Sequence, residues 1–526
     1  MPSVVSAQPE NIIRGNCTPQ LFDDGVAAAR GGQQLRRLPS KHTDWDSERT
    51  YRQAVILISF SDTDFKWESP REVYDSMFNF PGYNKRNGPG CVADYFREQS
   101  GGRLNIQFDV YGPVKVSGKS QPYANPDENT KNYGREELVE ATQKAIDSLQ
   151  VDFTPYDWKG NGTVNQVIYI YAGLSGNIDA KANYGHIWPN TGSFSTITTN
   201  GKIIRNYTAS AELWTNSISC GIGTVLHEFT HSLGLPDIYP TTSSAGFSMV
   251  DEWDLMDGGN FTNYGWCPPN YSPMEKMLLG WLTFTELEKP TSVRGMKTLA
   301  EGGEVYRIKH SKNEWLLLEN RQQKGWDAGV PGHGLVIYHV DYDSTKWSFN
   351  MVNNDKKVRG FELVHADNMD YDAWDDYIKT WKNQKTYANS NRMNNNHLRT
   401  SPYPWTTDST TFVNDLLTDN SVPAAVMHTT NSEGSTMLSM PITNIVENAD
   451  GTIDFDFMGG DIEIKGDVNG DGVVDVADIS AIISVMANSV GSGFPAATAA
   501  DVNGDGVVDV ADISSVISIM AGGTED

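Results

Sequence analysis

The chain has 526 residues, with 67 Asp and Glu against 41 Lys and Arg and a formal net charge of −26. That balance excludes a nucleic-acid binder, which needs a basic face, and no apolar run approaches membrane-spanning length. A chain this long exceeds one ordinary core, so about three domains are expected. The four cysteines, Cys17, Cys91, Cys220 and Cys267, are far apart and form no C-x-x-C, which argues against a thiolate zinc site.

Residues 1–50 are polar and rich in Gly and Arg. The start, M-P-S-V-V-S-A-Q-P-E, lacks the basic residues and apolar run of a signal peptide, so a leader is expected to have been removed. We read 1–50 as a leader or propeptide remnant. Cys17 in R-G-N-C is either incidental in a disordered segment or a thiolate cap for a metal, with Arg36 and Arg37 marking a processing site.

Residues 51–286 predict mixed strands and helices. The runs V-I-L-I-S-F from Val55 and V-N-Q-V-I-Y-I-Y-A-G from Val164 to Gly173 read as strands of a twisted sheet beneath a helix. That helix carries H-E-F-T-H-S-L-G-L-P-D, from His227 to Asp237. Histidines four apart project from one helix face and can share one zinc ion, with Glu228 beside the metal's water as general base. Val225 and Leu226 are apolar helix positions, and Gly221 and Gly223 loosen the chain before the helix. Gly234 can end the helix at positive φ and return the chain towards the metal. Asp237 then supplies a third ligand, a metzincin-type spacing with aspartate in place of the third histidine. Three ligands leave one position open, as catalysis requires.

A rival third ligand lies in D-E-W-D, Asp251 to Asp254; the turn at Gly234 favours Asp237. Met256, in W-D-L-M-D-G-G, fits a Met-turn flooring the histidines. Gly258 stands where some metzincins carry a tyrosine that stabilises the oxyanion. Tyr239 and Tyr264 are the nearest alternatives, both read as packing residues, and the role is left unassigned. Cys220 and Cys267 flank this segment, as a disulfide or as buried thiols. No Gly-x-Ser-x-Gly elbow accompanies them, so no covalent nucleophile is expected.

From 287 to 460 the pattern shifts to short alternating strands, E-V-Y-R-I-K-H and T-I-D-F-D-F-M among them, which predicts a β-sandwich-like accessory domain. His333 and His339, near Asp341 and Asp343, read as surface or packing histidines, with a second metal site as the alternative. Trp and Tyr scattered over 366–405 are candidates for a sugar- or peptide-binding face, or plain loop aromatics. A polar linker at Gly459 and Gly460 follows.

Residues 461–526 hold an internal repeat: D-V-N-G-D-G-V-V-D-V-A-D begins at Asp467 and again at Asp501. Each copy places oxygen donors at loop positions 1, 3, 5, 9 and 12, a glycine at 6 and a carbonyl at 7, the pattern of a calcium loop. The first uses Asp467, Asn469, Asp471, the Val473 carbonyl, Asp475 through water, and Asp478. The second uses Asp501, Asn503, Asp505, Val507, Asp509 and Asp512. A short helix follows each, with Ile479, Ile482, Ile483 and Met486 matched by Ile513, Val516, Ile517 and Met520. Calcium loops suit an extracellular setting, so a secreted protein is expected.

Two resemblances attach to these motifs. The duplicated loop and helix resembles a type I dockerin domain. That resemblance implies a cohesin module on a scaffold protein as partner, chosen by loop positions 10 and 11, here Val476 and Ala477, then Val510 and Ala511. A calcium-stabilised tail without a partner is the alternative.

The segment from about 50 to 460 resembles the immune inhibitor A family of secreted zinc metallopeptidases. The carriers are the zinc motif, V-I-L-I-S-F-S-D at Val55–Asp62, C-V-A-D-Y-F-R-E-Q-S-G-G-R-L-N-I at Cys91–Ile106, V-D-F-T-P-Y-D at Val151–Asp157, E-K-M-L-L-G-W-L at Glu275–Leu282, L-L-L-E-N-R-Q at Leu316–Gln322 and G-H-G-L-V-I-Y-H-V-D at Gly332–Asp341.

The expectation is an α+β protein: a metzincin-like zinc protease domain over 51–286, the accessory domain over 287–460 and a small α calcium-binding tail over 461–526. The resemblance implies hydrolysis of a protein or peptide substrate, with zinc on His227, His231 and Asp237 and Glu228 as base. A calcium-dependent binding or adhesion protein with an inactive protease domain is the competing class.

Overall fold

The computed structural model describes residues 28–30, 33–35, 38–39, 41, 43–122, 132–177, 185–242, 248–370, 373, 398–406, 413–461, 465–469, 473–488 and 499–522. The chain divides into two compact units, Met1–Glu288 with Val293–Phe455, and Lys289–Ser292 with Asp456–Asp526.

In the larger unit a short antiparallel pair, β1 (Ala28–Arg30) and β2 (Gln33–Leu35), precedes the main sheet. That sheet comprises β3 (Thr50–Ser59), β4 (Asn105–Lys115), β5 (Val167–Leu174), β6 (Asn190–Thr199) and β7 (Lys202–Thr215) in the order β4-β3-β5-β7-β6, with β8 (Ile218–Ser219) also on β7. Strands β4, β3, β5 and β7 are mutually parallel; β6 closes the edge antiparallel to β7.

β3 and β5 are buried along nearly their whole length, as their unbroken apolar runs require of parallel strands covered on both faces. Val55, Leu57, Ile168 and Ile170 face α1 (Pro70–Asn79), α2 (Val92–Gln99) and α4 (Gly223–Ser232), through Tyr74, Phe78, Tyr95, Phe96, Leu226 and Phe229. Ala54, Ile56, Ile58, Val167, Tyr169 and Tyr171 face the other way, onto Leu138, Ala141 and Ala145 of α3 (Arg135–Asp147). The helix with the His-Glu-x-x-His motif therefore lies on one face of a mixed, mostly parallel sheet. A short helix, α5 (Pro273–Leu278), follows, opened by a capping box between Ser272 and Glu275.

Beyond it come β9 (Thr285–Glu286), β10 (Thr291–Met296), β11 (Tyr306–Lys309), β12 (Glu314–Arg321), β13 (Gly334–Asp341), α6 (Ser344–Ser348) and β14 (Phe361–Leu363). Five of these strands form a sheet in the order β14-β13-β12-β11-β9. The remaining strands are the pair β15 (Trp405–Thr406) and β16 (Val413–Asn414), and β17 (Ile442–Glu447) and β18 (Ile453–Phe457), which with β10 make a three-stranded sheet.

The segment after residue 286 shares its core with the segment before it. Trp315, Leu317, Tyr338, Val340 and Phe361 belong to the same buried cluster as Phe229, Leu255 and Met256. The cause is visible in β12, where E-W-L-L-L-E-N-R is buried at every position, so both faces of this sheet need cover. Of the aromatics between 366 and 405, Tyr403 is buried and Trp405 half-buried, while those from 371 to 397 lie outside the described residues.

In the smaller unit, α7 (Val476–Asn488) and α8 (Val510–Met520) enclose a core of Ile482, Ala500, Val502 and Val516. Ile483 and Ile517, which helical spacing placed beside Ile482 and Val516, instead point outward and are about half exposed. A two-helix core this small buries only a narrow stripe of each helix.

Candidate metal centre

Helix α4 is fixed from three sides. It begins at Gly223, where a Cβ would lie 2.1 Å from the Asn260 carbonyl oxygen and 3.1 Å from the Gly265 Cα, so close approach rather than looseness requires this glycine. Along its length, Thr191 on the edge strand β6 donates its hydroxyl to the Glu228 carbonyl, and Thr208 on β7 reaches the same oxygen at 3.3 Å. Below, Phe229 packs edge-on against Phe96 and Trp158, at 5.2 and 6.2 Å between ring centroids. His227 and His231 are thereby held with ring centroids 5.0 Å apart and planes at 86°.

Gly234 ends the turn with φ +99, and a Cβ there would meet the Pro39 carbonyl oxygen at 2.8 Å. The chain then doubles back and brings Asp237, fully buried, to both histidines: Nε2 of His227 lies 3.1 Å and Nε2 of His231 3.3 Å from the same Asp237 Oδ1. Nδ1 of His227 donates to the Leu255 carbonyl and Nδ1 of His231 to the Leu235 carbonyl, each at 2.8 Å. A carbonyl oxygen only accepts, so each ring carries a proton on Nδ1 and turns Nε2 inward.

Two imidazole nitrogens and a carboxylate oxygen thus converge in a buried space, an arrangement suited to a cation. Burial alone would lower the His227 imidazole, but the Asp237 hydrogen bond and the charges of Glu228 and Asp237 outweigh it and hold it up to about 9. Asp237 moves the opposite way. Burial works to raise its carboxyl, and the two imidazoles pull it far below the usual carboxylate range. Zinc with ligands at about 2.0–2.1 Å in a tetrahedron separates them by roughly 3.3 Å. The observed 3.1 and 3.3 Å match, so the donor set and its spacing fit that ion.

The Met-turn segment contributes backbone as well as side chain. Met256 is fully buried; its carbonyl accepts from the Ile238 N–H at 2.9 Å, while Leu255 accepts from His227. Asp254 turns inward on its own loop, accepting the Met256 N–H at 2.7 Å. Among the described residues, the groups able to hold a metal are His227 with His231 and Asp237, and Glu314 with His339 and His428; no carboxylate of Asp251–Asp254 joins either. Glu228 is fully buried on the same helix. Tyr239 is half-buried, with its ring parallel to His227 at 6.3 Å, whereas Tyr264 packs on Trp214 at 5.7 Å.

Sequence reasoning missed the residue that orients the carboxylate. Asn350 accepts the Asp237 N–H at Oδ1 and donates Nδ2 to Asp237 Oδ2, each at 2.6 Å. Asn353 donates to the Ile238 carbonyl at 2.9 Å, and Asn354 accepts the Thr241 N–H at 2.7 Å. The only local signal was the asparagine-rich run N-M-V-N-N, more than a hundred residues downstream.

Cys220 and Cys267 are not joined; both are free buried thiols, as is Cys91, whose Sγ caps α2 by accepting the Asp94 N–H. Cys17 lies outside the described residues, while Leu38, near the end of the expected leader, is buried.

In the tail, Asp512 is buried, and its oxygens accept the Asn503 and Asp509 N–H groups at 3.1 and 2.8 Å. Asp478 does the same for Val468, Asn469 and Asp475, and these hydrogen bonds lower its carboxyl against the effect of burial. Asp501 gathers the N–H groups of Gly504, Asp505 and Gly506 at 2.7–3.0 Å. Val507 and Val473 are exposed at the loop surface, Asp467 and Asp475 lie in the first loop, and Asp471 falls outside the described residues. Val476, Ala477, Val510 and Ala511 are all exposed at the starts of α7 and α8.

Residues 41–280 match the family described as immune inhibitor A peptidase M6, catalytic domain, and residues 465–520 match the dockerin type I domain. The chain is 24% identical over 417 residues to Immune inhibitor A of Bacillus thuringiensis subsp. alesti, covering 66% of this chain and 58% of that protein. It is 24% identical over 263 residues to Pre-pro-metalloprotease PrtV of Vibrio cholerae serotype O1 (strain M66-2), covering 45% of this chain and 28% of that protein. The match spans less than two thirds of either relative. Residues 41–280 are thus a catalytic domain of the immune inhibitor A peptidase M6 family, and residues 465–520 a type I dockerin domain.

Proposed function

We propose that this chain is a secreted zinc-dependent endopeptidase tethered through its dockerin domain to a cohesin-bearing scaffold. One observation carries the catalytic part: two imidazoles with fixed tautomers and one carboxylate oxygen converge at 3.1 and 3.3 Å beside a buried glutamate. A zinc ion held by His227, His231 and Asp237 would supply a Lewis acid for the scissile carbonyl and lower the pKa of its water. Glu228 takes the proton from the attacking water and returns it to the leaving amine. Leu255 and Leu235 keep the imidazoles in the liganding tautomer, and Asn350 keeps Asp237 turned towards them. For the oxyanion, Tyr239, whose ring runs parallel to His227 at 6.3 Å, is the candidate we put forward. The two relatives point the same way, since one is a metalloprotease by name and the other an immune inhibitor A.

For the tail, exposed Val476 and Ala477, repeated at Val510 and Ala511, offer the same apolar pair from each copy to a cohesin once calcium fills the loops. No described helix is long and apolar enough to cross a membrane.

The deciding experiment is Glu228→Gln. Zinc content should stay at the wild-type level while cleavage of casein falls by about 10²–10⁴-fold. Unchanged turnover would remove Glu228 from the chemistry. A wild-type protein that binds zinc and calcium but cleaves nothing would favour the adhesion class.

A further inference from the structure

A second cluster of metal-binding side chains lies on the sheet that follows the catalytic segment, and it shares no residue with the first. Glu314 on β12 stands opposite Asp341 on β13, and His339 on β13 stands opposite Glu362 on β14. Because side chains two apart share a face of a strand, Glu314, His339, Asp341 and Glu362 form one polar patch across three strands. His428 arrives from the far side of the sequence and lays its ring over His339, centroids 4.6 Å apart at 56°.

We infer that Glu314, His339 and His428 form a second binding site for a divalent transition metal of the zinc class, with Asp341 beside the fourth position. Ligand atoms of the first three lie within 4.8 Å of one another. Nε2 of His339 is 2.8 Å from Glu314 Oε1, and Nδ1 of His428 is 3.9 Å from the same oxygen and 3.1 Å from Asp341 Oδ2. These separations bracket the roughly 3.3 Å between ligands of tetrahedral zinc. The outer nitrogens turn the other way, His339 Nδ1 at 3.4 Å and His428 Nε2 at 3.9 Å from one oxygen of Glu362. A carboxylate behind a liganding imidazole fixes its tautomer, and here Glu362 takes that place behind His339.

The charge of the cluster also suits a divalent ion. Of the three carboxylates, Glu362 is paired with Arg359 at 3.1 Å, which leaves two negative charges on Glu314 and Asp341. Protonating both imidazoles would set two positive rings against each other, whereas one divalent ion supplies both charges and leaves the rings neutral. Two imidazoles select zinc-class ions over calcium or magnesium, which prefer all-oxygen sets.

Glu314 is already oriented for a ligand's role, because the N–H groups of His428 and Thr429 and the Thr429 hydroxyl hold its two oxygens. A cavity of about 260 Å³ opens on the Glu362 side of the two rings, lined by His339, Glu362 and His428 together with Lys356, Lys357 and Arg359. The bound ion would pin the 428–429 loop to the sheet.

The test is zinc analysis of the full-length protein, dialysed against zinc with excess calcium so that the tail loops hold calcium. In the double variant His227→Ala/His231→Ala, one equivalent of zinc should remain; none remaining overturns the proposal. In His428→Gln, one equivalent should be lost relative to wild type with casein cleavage kept. Zinc content equal to wild type in that variant equally overturns it.

Discussion

Asn350 holds Asp237 at both ends, accepting its N–H and donating to its Oδ2, and so leaves Oδ1 alone to face His227 and His231. The asparagine sits at φ +57, a left-handed conformation that Asn tolerates better than most residues. The catalytic segment therefore borrows part of its centre from the segment after residue 286. Such partners behind a metal ligand are commonly worth one to two orders of magnitude in affinity.

Asn350→Ala should weaken zinc binding roughly 10- to 100-fold by chelator competition, with a parallel fall in kcat/KM at limiting zinc. Activity restored by saturating zinc would confirm a positioning role. Wild-type affinity in the variant would leave Asp237 oriented by its turn alone.

Gly234→Ala attacks the same geometry from the backbone. The left-handed φ of +99 costs a residue with a Cβ about 1–2 kcal/mol, and the Pro39 carbonyl 2.8 Å away adds a clash. A lowered Tm together with lost zinc is expected. A variant melting with the wild type would show that the turn relaxes freely.

Asp157 should set part of the acid limb of stability. Burial works to raise its carboxyl, but Lys202 at 2.8 Å and the N–H groups of Gly162 and Asn161 win and lower it. A carboxyl lowered on folding contributes stability above its unfolded pKa, near 4, and loses it as pH falls through the lower folded value. Asp157→Asn should therefore flatten denaturation curves below about pH 4 relative to wild type. Parallel pH dependences in the two proteins would discount the pair.

The calcium loops predict that full-length protein titrated with calcium fills two sites in the tail. Asp501→Ala removes a carboxylate that gathers three backbone N–H groups and should abolish one of them. Retention of both sites would mean that position 1 is not a ligand. Calcium-dependent capture by a cohesin module, reversed by chelator, extends the same test to docking.

The two histidines, the glutamate and the aspartate were legible because one helix turn and one glycine turn bring them together within eleven residues. The candidate calcium loops are compact for the same reason, each proposed ligand set lying within twelve consecutive residues. Local geometry follows from local sequence there, since spacing along a helix or tight loop nearly dictates spacing in space. The outward turn of Ile483 and Ile517 was not legible, because helical period names a face without saying how wide a stripe the neighbour will cover.

What the sequence determined by itself is thus the local grouping of the candidate residues in the catalytic segment and in the tail, each set held within one short stretch of chain. Tertiary structure decided which distant residues serve them. It brought Asn350 to Asp237 and His428 to His339, and it merged the segments on either side of residue 286 into one core. The reason is physical: contacts between residues a hundred positions apart depend on how sheets bury both faces, and no periodicity in a single strand or helix records its partner.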